Sequence, residues 1–285
     1  MGRLIVNADD FGLTAGVNRA VAELHSAGVL TSTTLMARAG ATSEAIAMAA
    51  ATPSLGVGCH VVLVDGEPVL PPNEIPTLVD QKTGCFPAQL TTFLTRLFTG
   101  RISSDEIEAE AAAQIRSLQC KGLKLTHFDT HKHTHMFPPV LRPVLRASRA
   151  VGIRAVRNPF EPSWAVRATA GAGWARCAEV GLLRNLESRC LQIIAQEEMA
   201  TTSGTIAVVG TGVLDAAAVR SLLSATPDGT WELVTHPGYN DADLQAVTTR
   251  LRESRALELQ VLSSSESRKS LENRGIQLIS YRELG

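Results

Sequence analysis

The segment Asn7-Ala8-Asp9-Asp10-Phe11-Gly12 places two adjacent carboxylates at the end of a β-rich run from Arg3 to Ala8. Neighbouring side chains on an extended chain point in different directions, so one carboxylate can bind a metal while the other faces a reacting water. The competing roles are a helix cap and a solvated loop residue. Gly56-Val57-Gly58-Cys59-His60 puts a histidine in another apolar run. Between 127 and 135, His127, Asp129, His131, His133 and His135 occupy alternate positions. In an extended strand these side chains share one face, and a face of imidazoles and a carboxylate is a poor core surface. Neutral imidazole is the commonest metal ligand, but four histidines cannot all reach one ion, so some must orient the ligands or touch substrate. His236 follows the run Trp231–Thr235, and Pro237-Gly238 forms a tight turn able to fix its ring. His25 lies within a helical pattern and reads as structural.

The elements that must carry these residues alternate along the chain. Strands are predicted over Arg3–Ala8, Thr31–Met36, Leu55–Leu63, Leu123–Asp129, Ile153–Arg157, Thr205–Val209, Trp231–Thr235 and Ile276–Tyr281. Helical patterns are predicted at 15–27, 43–51, 87–98, 103–120, 138–150, 163–200, 215–225, 241–262 and 265–274. Residues 64–86 read as a long loop. Such alternation predicts parallel pairing with helices outside. Asp9, Asp10, His60, His131 and His236 all sit at strand ends spread along the chain, which favours a (β/α) barrel over an open sheet, because barrel strands converge on one mouth. Two histidines and a carboxylate suit Zn, Fe, Co or Ni, and Mg or Mn with more oxygen ligands.

A net charge of −1 over 285 residues gives no electrostatic grip on nucleic acid. Five scattered cysteines, none at CxxC spacing, predict reduced thiols and a cytoplasmic setting. The short apolar run before Asp9 argues against a signal peptide, and no stretch reaches the ~18 apolar residues of a transmembrane helix.

NADDFG, TSTTLM, the G-x-H of GCH, HFDTHKHTHMFP, HPG and the closing Ile276–Leu284 segment together resemble the YdjC-like carbohydrate deacetylases over nearly the whole chain. The resemblance implies a single domain over 1–285, a distorted TIM-like (β/α) barrel. It also implies a divalent-metal hydrolase that removes acetyl from an N-acetylated amino sugar. Carried over, Asp10, His60 and His131 are the metal ligands, with zinc or magnesium the expected ion. Asp9 is the general base and His236 the catalytic acid. His127, Asp129, His133, His135 and Arg157 fall to substrate or to the ligands' surroundings, Arg157 as substrate anchor, support for Asp9, or an ordinary structural arginine. Thr130 stands where the family commonly has Ser, which keeps the hydroxyl.

Val156-Arg157-Asn158-Pro159-Phe160-Glu161-Pro162 and a helix-rich insertion at about 160–200 are most similar to the hopanoid-biosynthesis-associated HpnK branch. That branch implies an N-acetylglucosaminyl hopanoid and peripheral contact with the inner membrane face. The region 160–200, with Phe160, Trp164 and Trp174 and an amphipathic run through Val180, Leu182, Leu183, Leu186, Leu191, Ile193 and Ile194, either meets that membrane or packs on the barrel. A chitooligosaccharide deacetylase, a two-metal hydrolase of phosphoesters or cyclic amides, and a non-catalytic sugar- or metal-binding barrel are the alternatives. A homodimer is compatible with the sequence.

Overall fold

The computed structural model describes residues 2–169 and 171–284. The first run forms strand β1 (Gly2–Phe11), in which every residue from Leu4 onward is buried. A strand covered on both faces belongs inside a parallel sheet. It is followed by β2 (Ser32–Met36), β3 (Gly56–Val61), β4 (Phe128–Thr130), β5 (Gly204–Ile206), β6 (Gly229–Thr235) and β7 (Gln277–Leu278). These pair in parallel in the order β4-β3-β2-β1-β6-β5, with β7 on β1.

The pairing shows where the distortion lies. One side of β1 pairs with β6 from Gly2 to Ala8. The other side is divided: Arg3 and Leu4 pair with β7, and Asn7 to Phe11 with β2. The C-terminal segment thus fills the gap where β2 has parted from the first half of β1. Beyond β4, Phe128 bridges Val156 and Ala155 bridges Ala200. The Thr205 N–H then donates to the Phe160 carbonyl at 3.2 Å. Hydrogen bonding therefore passes from β4 through 154–160 and 200–205 toward β5. The result is one α/β domain with a curled parallel sheet, which is the expected barrel at its coarser level.

Leu4, Val6 and Phe11 of β1 and Leu35 of β2 join one core with Val21 and Leu24 of helix Ala15–Ser26. Ile107 and Ile115 of helix Ser104–Gln119 and Val140 and Val144 of helix Pro138–Ala150 complete it. Each such side chain contributes roughly 1.5–3 kcal/mol on burial. The core therefore fixes the strands, and the polar residues at their ends are carried into place. Loop 64–86 packs as well: Glu110 accepts the N–H groups of Val69 (2.8 Å) and Leu70 (3.0 Å), and Glu106 that of Thr77 (2.7 Å).

Several expected elements are shorter than the pattern predicts. The strand expected from Leu123 begins only at Phe128, and 153–157 contributes bridges and no full strand. The helical pattern at 241–262 divides into Ala242–Ala246 and Glu253–Ser263. After Thr130 the chain enters a 3-10 turn, His131–Met136, with Lys132 and His133 at φ +56° and +50°. The alternate histidines therefore do not share a strand face. Cys59, Cys85, Cys120, Cys177 and Cys190 are free thiols. No helix among the described residues is long and apolar enough to cross a membrane.

Candidate active site

Asp9 and Asp10 reach the same cavity because β1 breaks its register between Ala8 and Phe11, with Asp10 at φ +64°. Aspartate tolerates this left-handed conformation, and a bulge re-aims side chains that a regular strand would send to opposite faces. Neither carboxylate caps the following helix: Thr14 does, accepting the Val17 N–H at 3.2 Å. Asp10 Oδ1 lies 3.4 Å from both His60 Nε2 and His131 Nδ1, which are 3.2 Å from each other. A tetrahedral ion with ligand bonds of 2.0–2.1 Å needs donors about 3.3 Å apart. The donor set therefore fits one ion. His60 Nδ1 lies 2.7 Å from Asp129 Oδ1. A proton held there leaves the Nε2 lone pair facing His131 and Asp10, the usual arrangement behind a metal-ligating imidazole. Burial opposes a charge on His60, but Asp129 beside it outweighs burial and pushes its pKa up to about 9.

A second acidic group, Asp9, His60 and Asp129, also converges, but its cation is Arg157. That guanidinium, fully buried, donates to Asp9 Oδ2 (2.8 Å) and Oδ1 (2.6 Å) and to Glu232 Oε1 (2.7 Å), and forms an ion pair with Asp129 Oδ2 at 2.5 Å. Asn7 Nδ2 and the Thr34 hydroxyl add donors to Asp9 Oδ1 at 2.9 and 3.3 Å. Burial alone would raise Asp9; Arg157 overrides it and holds the carboxyl well below the usual range. Glu232 is also bonded by the Tyr281 hydroxyl. The C-terminal segment thus connects through Glu232 and Arg157 to Asp9.

His236 Nε2 lies 3.8 Å from Asp9 Oδ2, and its backbone N–H donates to Glu258 at 2.6 Å. Burial lowers the His236 pKa to about 4. Of the alternate series, His131 and His133 line the cavity. Lys132 between them also lines the cavity, paired there with Asp65 at 2.8 Å. His133 Nδ1 is buried without a partner. His135 is turned elsewhere, Nδ1 to Thr130 Oγ1 (2.7 Å) and Nε2 to the Arg157 carbonyl (3.2 Å). His127 stacks on Tyr281 with ring centres 3.7 Å apart. It occupies a slot that exists because residue 58 is glycine: a Cβ there would lie 2.5 Å from the ring. His25 bonds the Leu30 carbonyl and Ser54.

Arg255, Glu232, Glu258, Tyr281, Thr34 and Asn7 also bond to these groups, and none was singled out from the sequence. Glu232, a lone acid inside the β-rich run WELVT, carried a signal; Arg255, inside a helical pattern, carried none.

The cavity measures about 790 Å³. Its floor is Asp9, Asp10, His60 and His236, and its walls include Val180 and Leu183 of helix Trp174–Leu183 and the loop 247–252. The region 160–200 is part buried and part exposed. Phe160, Ile193 and Ile194 are buried, whereas Trp174 is 85% and Leu182 71% exposed.

Curled sheet and convergent Asp–His–His donors together define an α/β protein with a pocket competent for a single metal ion. The chain belongs to the YdjC-like family: the model described as YdjC-like protein matches residues 3–273. A carbohydrate deacetylase of Brevibacillus brevis is 32% identical, covering 99% of this chain and 100% of the relative. A chitooligosaccharide deacetylase of Serratia marcescens is 29% identical over 99% and 98%. A crystal structure from Enterococcus faecalis V583, a candidate cellobiose-phosphate cleavage protein, is 27% identical with a TM-score of 0.80 over 100% of this chain and 99% of that one.

Proposed function

We propose that this protein is a metal-dependent carbohydrate deacetylase that cleaves the acetamide of an N-acetylated amino sugar, releasing acetate and a free amine. The observation that carries the reading is the meeting of Asp10, His60 and His131 in one cavity beside Asp9 and His236. Relatives named carbohydrate deacetylase and chitooligosaccharide deacetylase, aligned over nearly the whole chain, support it. Two imidazoles and one carboxylate suit zinc better than magnesium. A bound divalent ion supplies the acidified water and the polarised carbonyl that amide hydrolysis at neutral pH needs. The protein's own groups do the rest. Arg157 keeps Asp9 ionised and unprotonated at rest, and so acidic a carboxyl holds the water's proton only in passing. His236 is placed to hand a proton to the departing nitrogen. Burial lowers its pKa to about 4, so the resting ring is neutral; it takes the water's proton from Asp9, 3.8 Å away, before passing it to the nitrogen. A two-metal reading is disfavoured, because Arg157 already occupies the second acidic group.

For the acceptor, the exposed Trp174 and Leu182 of the helix whose Val180 and Leu183 line the cavity support a lipid-linked sugar such as an N-acetylglucosaminyl hopanoid. The relatives named chitooligosaccharide deacetylase support a soluble oligomer as the second reading. The test is acetate release from N-acetylglucosamine oligomers and from an N-acetylglucosaminyl lipid in vesicles. Faster turnover of the vesicle substrate supports the first acceptor, and faster turnover of the oligomer the second. No acetate from either, with added zinc or magnesium, removes the deacetylase reading.

A further inference from the structure

Asp10 has two oxygens, and only one faces the imidazoles. Oδ2 accepts from Arg255 Nη2 at 2.5 Å, while Oδ1 lies 3.4 Å from both His60 Nε2 and His131 Nδ1. Arg255 comes from helix Glu253–Ser263, at the far end of the chain, and its side chain is 1% exposed. We propose that Arg255 is the positioning residue of the metal site: by occupying Oδ2 it confines Asp10 to a single-oxygen ligand and keeps the ion's remaining positions open for water and substrate. The inference rests on the metal-site reading above.

Three features of the packing show that Arg255 is built into place. Its Nε donates to the Leu251 carbonyl at 3.3 Å, and its own carbonyl accepts the Gly238 N–H at 3.2 Å. Gly238, the glycine of the HPG turn, leaves the passage for its stem: a Cβ there would lie 3.2 Å from Arg255 Cδ. One turn further along the same helix, Glu258 accepts the His236 N–H at 2.6 Å. A single helix thus secures a proposed ligand and the proposed acid from outside the sheet, which gives the HPG turn a physical reason beyond its histidine. The clamp matters because Asp10 sits on a bulge, where the backbone alone does not dictate which oxygen faces the ion.

The electrostatics give the proposal a sign that a structural role does not share. Arg255 repels a divalent cation at the site and competes with it for Asp10. Without the guanidinium, Asp10 is free to offer both oxygens, so metal affinity rises while the coordination number increases and open positions are lost. A residue that merely supports the fold has the opposite signature: its removal loosens the site and weakens metal binding.

The experiment uses Co(II) as a visible probe in the wild type, Arg255→Met and Gly238→Ala, with affinity read by chelator competition and coordination by the intensity of the visible absorption. The wild type is expected to give the strong absorption of a low-coordinate site. Arg255→Met should bind Co(II) severalfold more tightly, with weaker absorption and much slower acetate release. Gly238→Ala, which crowds Arg255 while retaining its charge, should weaken the absorption without the gain in affinity, and it reads the same geometry if Arg255→Met does not fold. An unchanged spectrum in a folded variant, or weaker binding by Arg255→Met, overturns the role of Arg255 while leaving the metal site standing. Failure of the wild type to bind Co(II) overturns both.

Discussion

On the sheet side of the cavity, Asp9 and Asp10 are 3% and 4% exposed and each is gripped by an arginine from a distant part of the chain. On the helix side, Trp174 and Leu182 stand in solvent at 85% and 71% exposure, and Arg176 and Glu179 pair mainly with each other. The first region holds its polar groups in fixed geometry, with Asp9, Asp129 and Glu232 sharing Arg157 and Asp10 paired with Arg255. The second presents two large apolar side chains that the described residues leave exposed. On the proposed function the chemistry and the choice of acceptor fall to different elements, and substitutions can separate them.

The largest effects belong to the floor. His60→Ala or Asp10→Ala should abolish tight metal binding and with it turnover. Asp9→Asn should retain the ion and lose about 10²–10⁴-fold in turnover, the usual contribution of a general acid or base. Metal titration alongside acetate assays distinguishes the two outcomes. If Asp9→Asn is the variant that loses the ion, the two aspartates have been assigned in reverse.

Arg157→Met comes next. It leaves Asp9, Asp129 and Glu232 buried around an apolar side chain, and breaking a buried ion pair costs about 3–5 kcal/mol. Denaturant unfolding should show a loss of that order. A loss near zero would mean that these carboxylates find other partners, and that Asp9 does not depend on Arg157 for its charge.

A smaller, pH-dependent effect belongs to His127. Burial, opposed by Asp129 and reinforced by Arg157, lowers its pKa from 6.5 to about 3. Between those values the unfolded chain binds a proton that the folded chain does not. This stability is therefore fully present above pH ~6.5 and drains away as pH falls toward ~3, at no more than about 1.4 kcal/mol per pH unit. His127→Phe keeps the stack on Tyr281 and should flatten the acid limb of a stability–pH curve. A variant whose acid limb matches the wild type would place the acid sensitivity elsewhere, with His133, held well below the usual range by burial, and His135 and His236, both lowered to about 4, as the next candidates.

The rim should matter least to stability and most to acceptor choice. Trp174→Ser and Leu182→Ser are expected to change unfolding free energy by no more than about 0.5 kcal/mol, as exposed substitutions generally do. Acetate release from soluble oligomers should be unaffected, while release from vesicle-borne substrate falls. Equal losses on both substrates would tie the rim to the chemistry and erase the distinction.

Much of this division was legible in the residues. The buried run of β1 and the position of His236 after β6 follow from local pattern, and the YdjC-like resemblance selected His131 from its neighbours. The alternate spacing from His127 to His135 misled, because periodicity assumes an extended chain and the backbone turns left-handed at Lys132 and His133. Only His131 and His133 consequently reach the cavity. Arg157 could be noticed but not placed: its value lies in three carboxylates contributed by β1, β4 and β6. Arg255 and Tyr281 were invisible for the same reason, since a long-range partner leaves no mark on its own neighbourhood.

The most direct test of the account is a metal titration of the chelated protein, following acetate release from its best N-acetylated substrate. The account predicts that chelated protein is inactive and that activity rises linearly to a break at one ion per chain, with His131→Ala giving no break. Undiminished turnover by the chelated protein, or a break at two ions, would contradict a single-ion site formed by Asp10, His60 and His131.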